Sequence, residues 1–312
     1  MTAPMSNPTV PSSSSDGFIV VAVLWILGAL SALLSIYAVF VIDTAAGFSV
    51  YDDRLRSESL VSAALELTAH RQLSAPAQSR PTHGRFRFHL GQGNVAVEFQ
   101  SEAARIDLNA APKPLLAGLF LVLGARREYA ETYADRVISW RTAQSRDQTS
   151  ESLAYRTAGL AYEPRGAKFP NASELTLVRD LPAGLVERAL SYVTVFNGRP
   201  QVNILDAAPE VIAALPGINS ERLNAVLAQR QASPDDGKAL LALLGEARQY
   251  ATIEAGKTVR ANVKITFDNG QKASSEVVIL IFDEGDEPYS VLSWHDEFYG
   301  SRPEEKTKTQ SQ

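Results

Sequence analysis

Two stretches of this 312-residue sequence carry residue types that could do chemistry, and the first fits a loose phosphate-loop pattern. Residues 251–258 are ATIEAGKT, with the Gly-Lys-Thr ending of loops that cradle nucleotide phosphates. Such a loop must follow a strand and open a helix, because the N–H groups of the helix bind the phosphate. Here a strand-like alternation follows Thr258. The stretch therefore predicts a helix end that turns into a strand.

The second stretch is a Pro-Gly hairpin at residues 215–218 (LPGI), followed by a helical pattern that contains Arg222 and Arg230. Helix-hairpin-helix motifs bind DNA phosphates through backbone N–H groups of a Gly-rich hairpin and through basic side chains. Asn219 stands where the second glycine usually lies, and three acids are close: Glu221, Asp235 and Asp236. A structural helical hairpin is favoured, and a membrane-anchored DNA-binding protein remains the alternative.

Composition excludes several kinds of site. The chain has no cysteine, which excludes disulfides, Cys-ligated zinc and thiol nucleophiles. The four histidines are not at metal-ligand spacing: His70, His83, His89 and His295. No G-x-S-x-G motif is present. The formal net charge of −5 predicts no general attraction to nucleic acid. We therefore expect a protein that is not an enzyme.

The apolar run from Phe18 to Ile42 is the element around which the rest of the chain is organised. It contains no charged residue and no proline, and about 20 such residues form a helix that crosses a bilayer. Beyond it, Leu60, Ala64 and Leu67 recur at helical spacing, which predicts that the helix continues outside the membrane. Strands should cover part of this stripe, and the uncovered part would be available to partners.

Two groups of strands enclose a helical region. Alternation around the Gly91-Gln92-Gly93 turn predicts a hairpin, and alternation from Val259, followed by a turn at Asp268-Asn269-Gly270, predicts a second antiparallel group. The resulting domain prediction has six parts. They are a leader (1–17), a transmembrane segment (18–42), helix, linker and hairpin (43–104), an α-helical insert (105–255), closing strands (256–299) and a polar tail (300–312).

Two similar segments lie inside the predicted insert. Asn109-Ala110-Ala111-Pro112 matches Asp206-Ala207-Ala208-Pro209, and each predicts a capping side chain three residues before a proline that starts an apolar helix. Between them, residues 142–173 predict a long polar loop, and loops of this length are usually functional, ligand-bound or mobile.

The whole pattern resembles the K-type minor pseudopilins of type II secretion systems. The resemblance rests on the polar leader that ends at Gly17 before Phe18, on the long apolar helix, and on motifs in order along the chain. Those motifs are IDLNAAP, ADRVISWR, ESLAYR, SELTLV, VNILDAAPEVIAALPGI and YSVLSW. The resemblance implies an α+β fold, with a pilin-like N-terminal helix on a small antiparallel sheet interrupted by a large all-α insert.

The resemblance also implies specific roles. A prepilin peptidase would cut between Gly17 and Phe18, and Ala22 would occupy the position where most pilins carry an assembly glutamate. The head would lie in the periplasm, anchored by one pass in the inner membrane. I- and J-type minor pseudopilins would be partners at the pseudopilus tip, in support of the export of folded proteins.

Calcium is the one cofactor that the resemblance suggests. Family members hold it in the region of residues 142–173, with aspartates after the tryptophan. This chain has Arg141-Thr142-Ala143 after Trp140, so those ligands are missing, and only Glu151 matches a family ligand position. Asp147 and Glu163 are nearby acids without a match. Because Ca²⁺ takes six to eight oxygen ligands, we expect weak calcium binding or none.

Overall fold

The computed structural model describes residues 16–143, 149–234 and 236–299. Most of the predicted leader and the whole of the predicted tail lie outside these residues. The chain divides into two units, residues 1–59 and residues 60–312. Two apolar cores form in the second unit, one in a helix–sheet layer and one in a helical region.

A single helix, α1, runs from Asp16 to Leu73. Within it, Val20–Val41 has a mean hydropathy of 2.3, and none of this stretch is buried against protein. A helix of 22 apolar residues is long enough to cross the hydrocarbon core of a bilayer. Its large side chains, such as Leu24, Trp25 and Leu34, are exposed as a lipid-facing helix requires.

Five antiparallel strands form the main sheet, in the order β1-β2-β7-β8-β9. Their bounds are β1 His83–Leu90, β2 Gly93–Ser101, β7 Thr258–Phe267, β8 Lys272–Ile281 and β9 Tyr289–Tyr299. Both predicted hairpins are present, with Gly91 and Gly270 at positive φ in their turns. The β9 edge carries a bulge opposite Val278 and Ile279.

One face of this sheet packs against the last turns of α1. The helix buries Leu60, Val61, Ala64, Leu65 and Ala69, and the sheet supplies the alternate apolar residues of its central strands. Each buried leucine contributes roughly 1.5–3 kcal/mol relative to an exposed one. The sheet covers only part of the predicted apolar stripe on α1. Leu60 and Ala64 are buried, whereas Leu67 is 40% exposed.

A helical region lies between β2 and β7. Its α-helices are α2 Lys113–Val122, α3 Arg127–Arg141, α4 Thr149–Thr157, α5 Ala183–Leu190, α6 Pro209–Ala213, α7 Ser220–Ala232 and α8 Gly237–Leu243. Two short parallel ladders tie it together. They pair β3 Ile106–Asp107 with β4 Val193–Thr194, and β5 Val202–Asn203 with β6 Ala251–Thr252. These helices, with the antiparallel sheet, confirm the predicted α+β class.

The prediction of a polar loop at 142–173 was wrong for part of its length. Helix α4 lies inside it, and a 3₁₀ helix, Ala172–Leu177, overlaps its end. The α4 sequence TSESLAYRT has little apolar periodicity, and of its described side chains only Ser152 and Tyr155 are buried. Burial of this single aromatic residue anchors the helix, and a periodicity argument has too few apolar positions to detect it.

Candidate functional site

The predicted processing and assembly residues lie at the start of α1. Gly17 and Phe18 belong to its first turn, and Ala22 lies at the beginning of the apolar span. Peptidase cleavage after Gly17 remains a prediction, and so does the role of Ala22.

Glu151 lies on α4 beside a cation. Its Oε1 is 3.5 Å from Nη2 of Arg179, and a quarter of its side chain is exposed. The Arg179 guanidinium lies 5.6 Å from the centre of the Tyr155 ring, and the Arg179 backbone N–H donates to the Tyr155 hydroxyl (2.9 Å). The one carboxylate that matches a family calcium-ligand position therefore contacts an arginine.

The surroundings of Glu151 are organised by aromatic rings. Trp140 packs against Tyr155, Tyr162 and Phe169, with centroid distances of 6.1, 6.4 and 6.2 Å. Burial raises the pKa of the Tyr155 hydroxyl, although the hydrogen bond from Arg179 opposes the shift. Among the described residues, no group of three or more His, Asp or Glu could hold a metal ion. Asp147 lies outside the described part of the chain.

The phosphate-loop pattern at 251–258 does not form such a loop. Ala251–Thr252 is strand β6, a 3₁₀ helix (Gly245–Tyr250) precedes it, and β7 begins at Thr258. The Lys257 ammonium pairs with Asp283 at 3.0 Å. The prediction of a helix end that turns into a strand is confirmed.

The LPGI hairpin joins α6 to α7, with Gly217 at φ +80°. At the other end of α7, the Arg230 guanidinium points into the protein and donates to the carbonyls of Ile204 (3.3 Å) and Ala207 (2.7 Å). An arginine that binds its own backbone in this way is not available for DNA phosphates. The structure therefore favours a structural helical hairpin.

The first helical unit repeats this arrangement. Arg141, at the end of α3, donates to the carbonyls of Leu108 and Ala111. Counted back from the first residues of the two helices, Lys113 and Pro209, Leu108 corresponds to Ile204 and Ala111 corresponds to Ala207. Each unit thus consists of a short strand, a loop and two helices, with an arginine from the second helix bound to the loop.

The predicted caps Asn109 and Asp206 do not cap these helices. Pro112 and Ala208 occupy the N-cap positions of α2 and α6, and neither makes a side-chain hydrogen bond to its helix. Asn109 instead bonds both backbone groups of Phe169, and the Asp206 carboxylate lies 2.6 Å from Nδ1 of His83. Both side chains contact segments distant in sequence, which local pattern matching cannot anticipate.

Two other side chains order the loops instead. Asp107 accepts backbone N–H groups from Asn109 (2.6 Å), Ala110 (3.2 Å) and Gly198 (2.6 Å). Burial raises the pKa of Asp107, and these three donors oppose the shift. Asn203 holds the second loop: its Oδ1 accepts from Leu205 (2.8 Å), and its Nδ2 donates to the Glu254 carbonyl (2.9 Å).

A buried charge network joins the helical region to the sheet. Arg260 on β7 donates to Glu102 (2.6 Å) and to Glu276, and Glu102 also accepts from the Thr194 hydroxyl. Burial disfavours the charge on Arg260, but the hydrogen bonds and the charge attraction of Glu102 and Glu276 together outweigh this effect, so the pKa of Arg260 is raised. Sequence reasoning did not identify Glu102 or Arg260, since nothing near either residue marks its partner.

An apolar helix that continues from a membrane-length span and packs on an antiparallel sheet defines a pilin-like protein, here with a helical region between β2 and β7. Residues 94–198 match the model of the family "Type II secretion system (T2SS), protein K". This segment of the chain is therefore similar to protein K, the K-type minor pseudopilin of these systems.

Solved structures show the same fold. The chain is similar to a chain in the crystal structure of the GspK-GspI-GspJ complex from the enterotoxigenic Escherichia coli type 2 secretion system. The TM-score is 0.55 at 19% identity, and the match covers 79% of this chain and 100% of the other. No curated protein gives a significant match.

Proposed function

We propose that this minor pseudopilin stands at the tip of the pseudopilus, bound to I- and J-type minor pseudopilins, and supports the export of folded periplasmic proteins. The observation that carries the proposal is the match of residues 94–198 to protein K within a pilin-like fold. The similar solved structure is a complex of GspK with GspI and GspJ, which supports I- and J-type pseudopilins as the partners.

The anchor helix supports assembly within a membrane-derived filament. The span Val20–Val41 exposes its apolar side chains, so it can leave the bilayer only where other apolar helices replace the lipid. We infer that Gly17–Phe18 is the peptidase site, and that the helix crosses the inner membrane once with residues 60–299 in the periplasm.

Ala22 supports the placement at the tip. In pilins a glutamate at this position is thought to pair with the N-terminal amine of the preceding subunit, and alanine cannot form that ion pair. A subunit without the glutamate can be followed by others, yet it lacks this contact to a subunit above it. The proposed role is structural and includes no catalytic step, and calcium, if bound at all, would be held weakly.

The test is assembly of the full-length, processed chain with full-length I- and J-type pseudopilins in detergent. Size-exclusion chromatography with light scattering should show a complex that contains all three proteins. A major pseudopilin that carries the glutamate serves as the control and should not replace this chain in the complex. Three folded proteins that elute separately at micromolar concentrations would contradict the proposal.

A further inference from the structure

The outer edge of the main sheet is a regular, uncovered strand. β1 pairs with β2 in unbroken register from His83↔Gln100 to Leu90↔Gly93, and the strand order gives it no second neighbour among the described residues. The opposite edge strand, β9, carries a bulge, which disturbs the regular ladder that an added strand needs. β1 is therefore the edge better suited to accept another strand.

Ladder geometry identifies the backbone groups that are free on β1. The Ser101 N–H donates to the Thr82 carbonyl (2.6 Å), so Thr82 begins the series of residues bonded to β2. Hydrogen-bonded positions alternate along an antiparallel strand, so the even-numbered residues from Gly84 to Leu90 continue that series. The odd-numbered residues Arg85, Arg87 and His89 consequently direct their backbone N–H and C=O groups away from the sheet.

The side chains of the same three residues make this edge basic. Arg85, Arg87 and His89 are all exposed, on the face opposite α1. Arg85 pairs with its cross-strand neighbour Glu98 (2.7 Å), but the neighbour of Arg87 is Ala96, and the next residue in that row is Lys264. Among the described residues, no acidic group pairs with Arg87 or with Lys264.

Charge decides which occupant fits the edge. Charged residues on edge strands protect against indiscriminate pairing, and β1 against β1 of a second copy would bring Arg and His side chains together. An extended segment with acids at alternate positions would instead place carboxylates beside Arg85 and Arg87. Its other face would extend the apolar row of Phe86 and Phe88, whose rings stack at 6.3 Å.

We propose that β1 binds an extended segment of a protein partner by strand addition, and that this segment carries Asp or Glu at every second position. Backbone hydrogen bonds supply affinity in this mode, and alternate side chains supply specificity. This inference does not rest on the proposed assembly with I- and J-type pseudopilins.

The test uses the full-length chain in detergent and two labelled peptides, one with alternating Val and Glu and one with Lys in place of Glu. Fluorescence anisotropy should show binding of the Glu peptide only. Hydrogen exchange should slow at the amides of Arg85, Arg87 and His89, which are free at the edge. Equal binding of both peptides, or protection elsewhere in the chain, would overturn the proposal.

Variants separate the edge from general electrostatics. Arg87→Glu should weaken binding of the Glu peptide about tenfold, because a cross-strand attraction becomes a repulsion. The control is Arg126→Glu, which replaces another exposed arginine, in the helical region, and should leave binding unchanged. Arg87→Pro removes an outward N–H without affecting the β2 ladder and should abolish binding. Unchanged binding in Arg87→Glu would contradict the proposal even if the proline variant failed to fold.

Discussion

At the residue scale, the two helical units use different side chains in the same structural place. Asp107 and Asn203 are both fully buried at the end of a two-residue strand, and both accept the N–H two residues further on. The other polar atom of each side chain has a different kind of partner. Oδ2 of Asp107 accepts from the N–H of Gly198, whereas Nδ2 of Asn203 donates to the carbonyl of Glu254. The two residues are therefore not interchangeable, although they have the same shape.

We predict that Asp107→Asn and Asn203→Asp each destabilise the protein by about 1–3 kcal/mol. The first change sets an amide NH₂ group against the N–H of Gly198, and the second sets a carboxylate oxygen against the carbonyl of Glu254, both in buried sites. Thermal unfolding in detergent, followed by circular dichroism, would measure the loss. The exposed Asn224→Asp on α7 is the control and should change stability by less than about 0.5 kcal/mol. Wild-type melting temperatures for both buried variants would show that these hydrogen bonds do not order the loops.

Glu151 leads to a prediction about calcium. Its carboxylate already contacts Arg179, and calcium needs several oxygen ligands. Isothermal titration of Ca²⁺ into the full-length chain should show no binding tighter than the millimolar range, and Glu151→Gln should behave in the same way. Micromolar binding, whether or not Glu151→Gln removes it, would contradict this prediction.

At the element scale, the stripe on α1 separates stability from assembly. Leu60 is buried against the sheet at the turn residue Gly93, so Leu60→Asp should cost roughly 3–5 kcal/mol of folding stability. The sequence predicted that strands cover part of the Leu60–Ala64–Leu67 stripe, and Leu60 lies in the covered part, so it is not available as a partner contact. It lies on the sheet side of the helix.

Leu67 remains a candidate contact for the I- and J-type pseudopilins because it is exposed. Leu67→Asp should leave the melting temperature within a few degrees of wild type, yet weaken the three-protein complex about tenfold. Light scattering at several concentrations would measure this. A normal complex formed by a folded Leu67→Asp variant would place the contact elsewhere on the chain.

The end of α1 is joined to the sheet by a charge contact with a defined pH dependence. Arg80 is buried, and it donates to the Gln72 carbonyl (3.1 Å) and to Asp283. Hydrogen bonds from Arg80 and then from Lys257 hold the pKa of Asp283 below its usual value. A depressed folded-state pKa means that this stabilisation is present above the unfolded pKa of about 4 and disappears as the pH falls through the folded value.

Asp283→Asn should therefore lower the melting temperature at pH 7, and the difference from wild type should shrink below about pH 4. The neighbouring exposed Asp286→Asn is the matched control and should change little at either pH. A deficit for Asp283→Asn that stayed constant down to pH 3 would show that the carboxylate charge is not what stabilises this contact.

At the scale of the whole molecule, the membrane anchor gives the prediction about processing. In a host with a prepilin peptidase, mass spectrometry of the membrane-extracted protein should find a mature chain that begins at Phe18. Gly17→Val should block cleavage and leave the longer form, because the peptidase recognises the glycine before the cut. An intact N-terminus on the wild-type protein would contradict the assignment of residues 1–17 as a leader.

The sequence by itself determined the elements whose residues repeat with a regular period. The apolar span, the alternating strands β2 and β7 and the turns at Gly91 and Gly270 all followed from periodicities of 3.6 or 2 and from turn chemistry. The α+β class and the resemblance to protein K followed from the order of those elements and the motifs between them. These features are local, so neighbouring residues are enough to specify them.

Only the tertiary structure decided which polar groups meet. In the folded protein, Arg230 donates a hydrogen bond to a backbone carbonyl. Asn109 bonds the backbone of Phe169, 60 residues away, and Glu102 pairs with Arg260, 158 residues away. The tertiary structure also separated buried Leu60 from exposed Leu67. Helical spacing defines a face, but only the packed sheet decides which part of that face is covered. Contacts between distant residues depend on the geometry of the whole fold, and local periodicity carries no information about them.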